Sequence, residues 1–357
     1  MNRKAIVWGT LWSLLSLTDV QADGVRNFVH IVGSSALQPF ASAVSDKIVK
    51  SGKIKRPKLE STGTSGGFTL FCEGVGMDYP DIVNSWRPMR KKEFDTCQSN
   101  GVKDIVEVKI GYDGVVMAQS KKAQPFGSLS EKEIYLALAK QLPDPACKQY
   151  CDNKLVPNPN KTWKQINSSL PDTKIEVLGP PLTAGTSEVF GEVVLEAGCN
   201  GYPWLAAKKL TNEKEYKRLC HDVRKDGGYV EEINEMIVSR LATDPEAVGL
   251  FSYNWLRENT DRLIPIAIEG IKPDRDSIAS QKYPVSRPLF FYVKKAHIDR
   301  VPGLSKYIAE FTSEKAWGDK GYLASKGLIP MSLDERKAYA ADAKDLKSMV
   351  SVGEQAK

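Results

Sequence analysis

Histidine is scarce in this 357-residue sequence: His30, His221 and His297 are the whole supply, and none stands at ligand spacing from a cysteine pair. Zinc-type ligation is therefore not expected. No block of Lys and Arg interleaved with aromatics occurs, and 50 basic against 44 acidic residues leave a net charge of +6 spread along the chain. That excludes a nucleic-acid footprint and reads as a surface mildly attractive to anions. No uncharged apolar run is longer than the N-terminal stretch Ala5 to Leu17, which is shorter than the roughly 20 residues a membrane span needs. Neither the Gly-x-x-x-x-Gly-Lys-Ser/Thr pattern nor Gly-x-Gly-x-x-Gly follows any apolar strand, so the usual nucleotide and dinucleotide loops are missing. No cofactor or metal is called for.

What is present begins with a leader. Arg3 and Lys4 precede the apolar stretch, and Val20-Gln21-Ala22 ends in the small-residue pattern of a signal-peptidase site, so residues 1–22 are expected to be a signal peptide removed on export to the periplasm. No cysteine lies near the cut, which speaks against a lipid anchor on the first mature residue. The remaining length suits two domains. Its six cysteines are even in number, as an oxidising compartment favours. Six cysteines allow fifteen pairings; sequential pairing closes the shortest loops and predicts Cys72 with Cys97, Cys147 with Cys151 and Cys199 with Cys220.

Hydrophobic periodicity shows one unit three times: an apolar strand, a loop of Gly and hydroxyl residues, an amphipathic helix. Phe28 to Val32 leads through Gly33-Ser34-Ser35 to a helix face of Leu37, Phe40, Ala41, Val44 and Ile48. Lys58 to Thr62 leads through Gly63-Thr64-Ser65-Gly66-Gly67 to Phe68, Leu70 and Phe71. Ile175 to Leu178 leads through Gly179 to Thr186 to Val189, Phe190, Val193, Val194 and Ala197. Strands are also expected at Val106 to Ile110, Val248 to Tyr253, Pro265 to Ile268 and Leu289 to Val293, and a late helix face at Leu304, Tyr307, Ile308 and Phe311. Asp144 to Pro159 reads as a stapled surface loop, and the polar chain after Leu333 as a mobile tail. Alternating strands and helices predict an α/β fold with parallel sheets covered on both faces.

A Gly-rich loop at a helix N-terminus offers free N–H donors and the positive end of the helix dipole, so it holds anions. Any one such loop is more often a helix cap. Three of them, rich in Ser and Thr and poor in Lys, point to a small enclosed oxyanion such as phosphate, sulfate or molybdate. A rival reading comes from Gly63-Thr64-Ser65-Gly66-Gly67, which matches the Gly-x-Ser-x-Gly elbow of serine hydrolases, with His221 or His297 as base; it leaves the other two loops without a role.

Five runs carry a resemblance: Gly33-Ser34-Ser35-Ala36-Leu37-Gln38-Pro39-Phe40, Gly63 to Phe68, Gly111-Tyr112-Asp113-Gly114, Thr183-Ala184-Gly185-Thr186 and Pro284 to Leu289. In their order and spacing the chain resembles the phosphate-binding subunits of bacterial phosphate ABC importers over nearly all of its mature length. The resemblance implies a non-catalytic, monomeric partner of membrane permease subunits with a two-lobed periplasmic-binding-protein fold of type II. Its two parallel-rich sheets would be joined by two hinge strands, with residues 23–114 and 269–357 in lobe 1 and 115–268 in lobe 2. Carried over position by position, it places phosphate on Ser35, Ala36, Leu37, Thr64 and Ser65 from one lobe and Ala184, Gly185 and Thr186 from the other, with Arg87 and Arg224 as charged donors. Trp86, Ala184 and Ser187 depart from the relatives' Ser, Ser and Arg, which changes the donor set. Asp113, with Asp226 second, is the candidate carboxylate that accepts the proton phosphate keeps and sulfate lacks.

Overall fold

The computed structural model describes residues 26–52, 54–144 and 154–352. The leader reading over 1–22 and the Cys147–Cys151 pair lie outside the described residues.

The main sheet is built from β1 (His30–Gly33), β2 (Lys58–Ser61), β3 (Ile82–Ser85), β4 (Ile105–Ser120), β5 (Val177–Gly179), β6 (Tyr229–Glu231), β7 (Val248–Ser252), β8 (Leu263–Ile268) and β9 (Ser286–Lys294). Their order is β2-β1-β3-β9-β4-β7-β5-β6, with β8 paired to β4 off this path. The strand β4 is long enough to serve two sheets. Its first part, up to Gly114, lies against β9, and from Val115 onward it lies against β7, which it meets at Ser252. Pairing is parallel between β1 and β2, β1 and β3, β7 and β5, and β5 and β6, whereas every strand on β4 runs antiparallel to it. The sheets are thus mixed at the centre and parallel toward their outer strands, where sequence alternation alone points to parallel pairing throughout. Chain reversals through 269–285 and the return of β9 beside β4 account for the difference.

The run Gly111-Tyr112-Asp113-Gly114, which reads as a break after a short strand, is an uninterrupted part of β4. Burial explains it: nearly every residue of β4 is buried, so no polar alternation marks its second half. The helix α1 (Gln38–Lys50) buries Phe40, Ala41, Val44 and Ile48, the face its 3.6-residue period predicts. The strand units at β1, β2, β5, β7, β8 and β9 fall within a few residues of their expected positions.

Further helices used below are α2 (Thr64–Phe71), α3 (Lys91–Ser99), α4 (Gly185–Phe190), α5 (Tyr253–Glu258), α6 (Leu304–Phe311) and α7 (Leu333–Lys344). Helix α4 continues through a π-helical turn at Gly191–Leu195. That turn rotates the apolar face, so Leu195 and Cys199 are buried while Val193 is only half-buried. The segment Leu333–Lys344, which reads as part of a mobile tail, is helix. Ser332 and Glu335 cap α7 reciprocally, and Arg336, 3 % exposed, is tied to Glu314 and Asp319 at 2.9 and 3.1 Å.

Two disulfides are formed among the described residues. Cys72–Cys97 joins the end of α2 to α3, and Cys199–Cys220 joins the helix after the π-turn to helix Glu213–His221. At the flanks of the stapled-loop segment, Leu155–Pro157 pairs with Gln141–Pro143 as a short antiparallel ribbon. Among the described residues no helix is long and apolar enough to cross a membrane.

Candidate functional site

Because β1, β2 and β3 are parallel and in register, their carboxyl ends at Gly33, Ser61 and Ser85 open on one edge of the sheet. The parallel strands β5 and β7 end at Gly179 and Ser252 in the other half. Carboxyl ends of parallel strands are where an open α/β sheet leaves a crevice.

The first loop turns sharply at Gly33, whose φ of +117° and close approach to the Asn84 carbonyl leave no space for a side chain. The Gly33 amide donates to Thr62 Oγ1 at 3.0 Å and the Ser34 amide to the Asn84 carbonyl at 2.9 Å, which fixes the loop to both neighbouring strands. Ser35, Ala36 and Leu37 form one turn of 3₁₀ helix capped by Ser34 Oγ. The second loop passes through Gly63 at φ +70° into α2, whose first residue, Thr64, is 1 % exposed. Thr64 Oγ1 accepts from the Trp86 amide at 3.4 Å, so Trp86, in the buried core beneath, supports the loop through its backbone.

Arg87 Nη2 donates to Ser65 Oγ at 3.2 Å, and its Nη1 and Nη2 bind Glu93 at 2.9 and 2.6 Å. Its Nε is buried and has no partner among the described residues. Arg87 thus stands beside the second loop with one donor unspent.

The third loop meets the first directly. A Cβ on Gly185 would come within 2.6 Å of both the Ala36 amide nitrogen and Ser35 Oγ, so glycine is what permits this approach. Thr186 Oγ1 lies 3.4 Å from Ser252 Oγ, the N-cap residue of α5. Ser187 Oγ donates to the Pro180 carbonyl at 3.0 Å, which closes the loop on itself. Ser35, Ala36 and Leu37 from the first loop, Thr64 and Ser65 from the second and Ala184, Gly185 and Thr186 from the third therefore all belong to loop ends that the fold brings to one crevice.

Three of the expected charged groups are spent elsewhere. The guanidinium of Arg224 binds Asp226 through Nε and Nη2 at 2.6 and 2.8 Å, and its Nη1 donates to the Ala137 and Asn160 carbonyls. That arginine locks the packing beside helix Glu131–Leu138, and its partner Asp226 is held well below the ordinary carboxylate range, first by Arg224 and then by Lys161. Asp113 is buried, accepts from the Gly114 amide at 2.7 Å, and takes Nε of Arg287 at 3.1 Å together with its Nη2. Its oxygens face Arg287, the residue directly across the β4–β9 ladder, and not an open cleft.

Sequence reasoning gave three residues of this crevice no role. Arg287 is 1 % exposed and its Nη1 lies 3.4 Å from the Gly185 carbonyl; it stood inside the Pro284 to Leu289 run. Ser252 closes on Thr186; its place at the end of an apolar strand was the available signal. Glu188 Oε1 accepts from the Thr64 amide at 3.3 Å, across from one sheet half to the other. An acid in the first turn of a helix ordinarily answers that helix's own dipole, which hid it.

A family profile described as the PBP superfamily domain matches residues 18–315. The chain belongs to the PBP superfamily. Relatives of this PBP-superfamily protein include the phosphate-binding protein PstS of Staphylococcus epidermidis, 27 % identical over 329 residues covering 89 % of this chain and 82 % of that one. Protein SphX of Synechococcus elongatus is 26 % identical over 311 residues, 84 % and 79 % of the two chains. By structure the chain is similar to a possible phosphate binding protein from Planctomyces limnophilus, with a TM-score of 0.67 and 20 % identity over 91 % of this chain and 100 % of that one. An ABC-type phosphate transport receptor from Vibrio cholerae gives a TM-score of 0.58 at 19 % identity, over 84 % and 99 %. These two likenesses establish the two-lobed α/β fold of the superfamily for this chain.

Proposed function

We propose that this protein is an extracytoplasmic solute-binding protein that holds inorganic phosphate between two lobes and hands it to the membrane subunits of an ABC importer. The observation that carries this reading is the meeting of three hydroxyl-rich loop ends from both sheet halves, with Gly185 seated on Ser35 and Ala36. Backbone amides and hydroxyls there supply neutral, oriented donors, and Arg87 and Arg287 supply positive charge beside them. The names of the relatives point to the same ligand. Lobe 1 is assigned to 23–114 and 269–357 and lobe 2 to 115–268; the change of partners along β4 between Gly114 and Val115 supports the first of these boundaries. A signal peptide over 1–22, a periplasmic location and a monomeric state complete the proposal.

A hydrolase is disfavoured by where the bases lie. Ser65 Oγ is bonded to Arg87, His221 Nε2 to Glu196 at 2.8 Å, and His297 is buried between Asp81 and the Val75 carbonyl. Neither imidazole reaches the serine. We assign the protein a binding role without catalysis.

Inorganic phosphate should raise the melting temperature by mass action, by about 2.7 kcal/mol of stability at a hundredfold excess over Kd. Thr186→Val keeps the side chain's shape and removes its hydroxyl, so it should weaken phosphate by about 1.5–3 kcal/mol, the value of a hydrogen bond to a charged group. A shift produced by sulfate or molybdate and not by phosphate reassigns the anion. Equal isotherms for Thr186→Val and wild type remove the third loop from the site.

A further inference from the structure

The Glu188 carboxylate lies among the donors just described. It belongs to the first turn of α4, yet it reaches across the crevice to the amide of Thr64, the first residue of the eight-residue helix α2. At Gly63, just before it, the position a Cβ would take is 3.2 Å from the same carboxylate oxygen. A helix N-terminus presents unpaired N–H groups and a partial positive charge. The charges that face Glu188 are Arg287 from β9 and Arg87 after β3, both attractive, and Glu192 on its own helix, repulsive. Glu192 is in turn held by Arg90 at 3.7 Å and Lys217 at 3.9 Å. A carboxylate in this position is an anion already bound.

We propose that Glu188 is an affinity-determining residue of the oxyanion site: its carboxylate occupies the Thr64 amide of the second loop and must withdraw, or take up a proton from solvent, before a ligand uses that donor. This rests on the oxyanion reading above. Room for the side chain to withdraw lies beside it, because Glu188 also lines a cavity of about 200 Å³ with Phe190, His221, Val223 and Tyr229. Burial, and next the Glu192 carboxylate, already raises its proton affinity above that of an ordinary glutamate, against the pull of the Thr64 amide and the two arginines. A ligand anion beside it adds like charge and raises that affinity again. The complex then carries more proton than the empty protein, and linkage requires affinity to rise as pH falls.

The test titrates wild type, Glu188→Gln and Glu188→Ala with inorganic phosphate by calorimetry between about pH 5 and pH 8.5, in two buffers of different ionisation heat, after a melt has shown each variant folded. Comparing the proteins at each pH removes the titration of phosphate itself. Both variants should bind about tenfold or more tightly than wild type at the high end, as removal of a like charge at a binding site does. The gap should close toward low pH, and wild type should take up more proton on binding than either variant. Binding by the variants alone would also support the proposal. Superimposed isotherms across the pH range, or weaker binding by Glu188→Gln, overturn it while leaving the phosphate site standing. If neither wild type nor variants bind any oxyanion, the functional reading fails first and takes this inference with it.

Discussion

Arg287→Met is expected to destabilise the protein by about 3–5 kcal/mol, the cost of breaking a buried ion pair from one side. Arg287 and Asp113 are 1 % and 4 % exposed, and the pair is two-pronged, through Nε and Nη2. Without the guanidinium, Asp113 keeps the Gly114 amide at 2.7 Å as its partner in a site with little water. The cost should fall on the carboxylate left behind, so Asp113→Asn combined with Arg287→Met should recover most of the loss. Urea denaturation of the wild type, both single variants and the double variant closes the cycle. A double variant as unstable as the sum of the singles would show that the two side chains are not coupled. The folded double variant also isolates the ligand effect: it lacks the cation whose Nη1 lies 3.4 Å from the Gly185 carbonyl, so phosphate should bind it more weakly than wild type.

What the sequence revealed of this crevice follows from the range of the interactions that build it. Strand, loop and helix at β1 and α1 are local patterns: Phe40, Ala41, Val44 and Ile48 lie on one stripe whatever the rest of the chain does. Glycines that permit a tight turn or a close approach, such as Gly33 and Gly185, are visible for the same reason, since few other residues suit those positions. Pairings between distant charges are not local. Asp113 and Arg287 are 174 residues apart, and Asp113 read alone before a Gly has the signature of a turn. Its partner becomes apparent only when β9 is laid beside β4. Glu188 and Thr64 are 124 residues apart and meet only because the two sheet halves face each other. Arg224 shows the converse: the resemblance places it on phosphate, but its bonds go to Asp226 two positions on and to the carbonyls of Ala137, in helix Glu131–Leu138, and Asn160. The α7 segment misled by composition, because a helix anchored through one buried arginine and a capping box shows little apolar stripe.

At the far end of β9 from the crevice, Lys294 sets the second large effect. Its side chain is fully buried and its Nζ has no hydrogen-bond partner among the described residues. It lies 4.9 Å from the centre of the Phe71 ring and 5.3 Å from that of Tyr79. The carboxylate nearby, Asp81, is occupied by Arg26 at 2.5 Å, by His297 at 2.6 Å and by the His30 amide at 2.7 Å. Burial pushes the Lys294 ammonium down from 10.5 to about 7, with Asp81 pulling the other way. The two rings resist part of that fall by attracting the cation. A lysine whose folded pKa lies below its unfolded one costs stability where both states hold the proton, and regains it wherever the unfolded chain holds the proton and the native protein does not. The penalty is complete below about pH 7 and is relieved as pH rises toward 10.5. Stability of the wild type should therefore rise by about 2 kcal/mol between pH 7 and pH 9, since one full proton is worth about 1.4 kcal/mol per pH unit. Buried tyrosines such as Tyr229, raised to about 12, begin to favour the unfolded chain only when free tyrosine ionises near 10, and His30, which is lowered, acts below 6.5. Lys294→Met fills the same volume without the charge and should be more stable than wild type at pH 7, with the rise toward pH 9 gone. Urea midpoints measured at half-unit steps decide it. A wild type whose stability is flat or falls from pH 7 to pH 9 would mean that the rings and Asp81 keep the ammonium charged in the native state, and the variant would then lose its advantage as well.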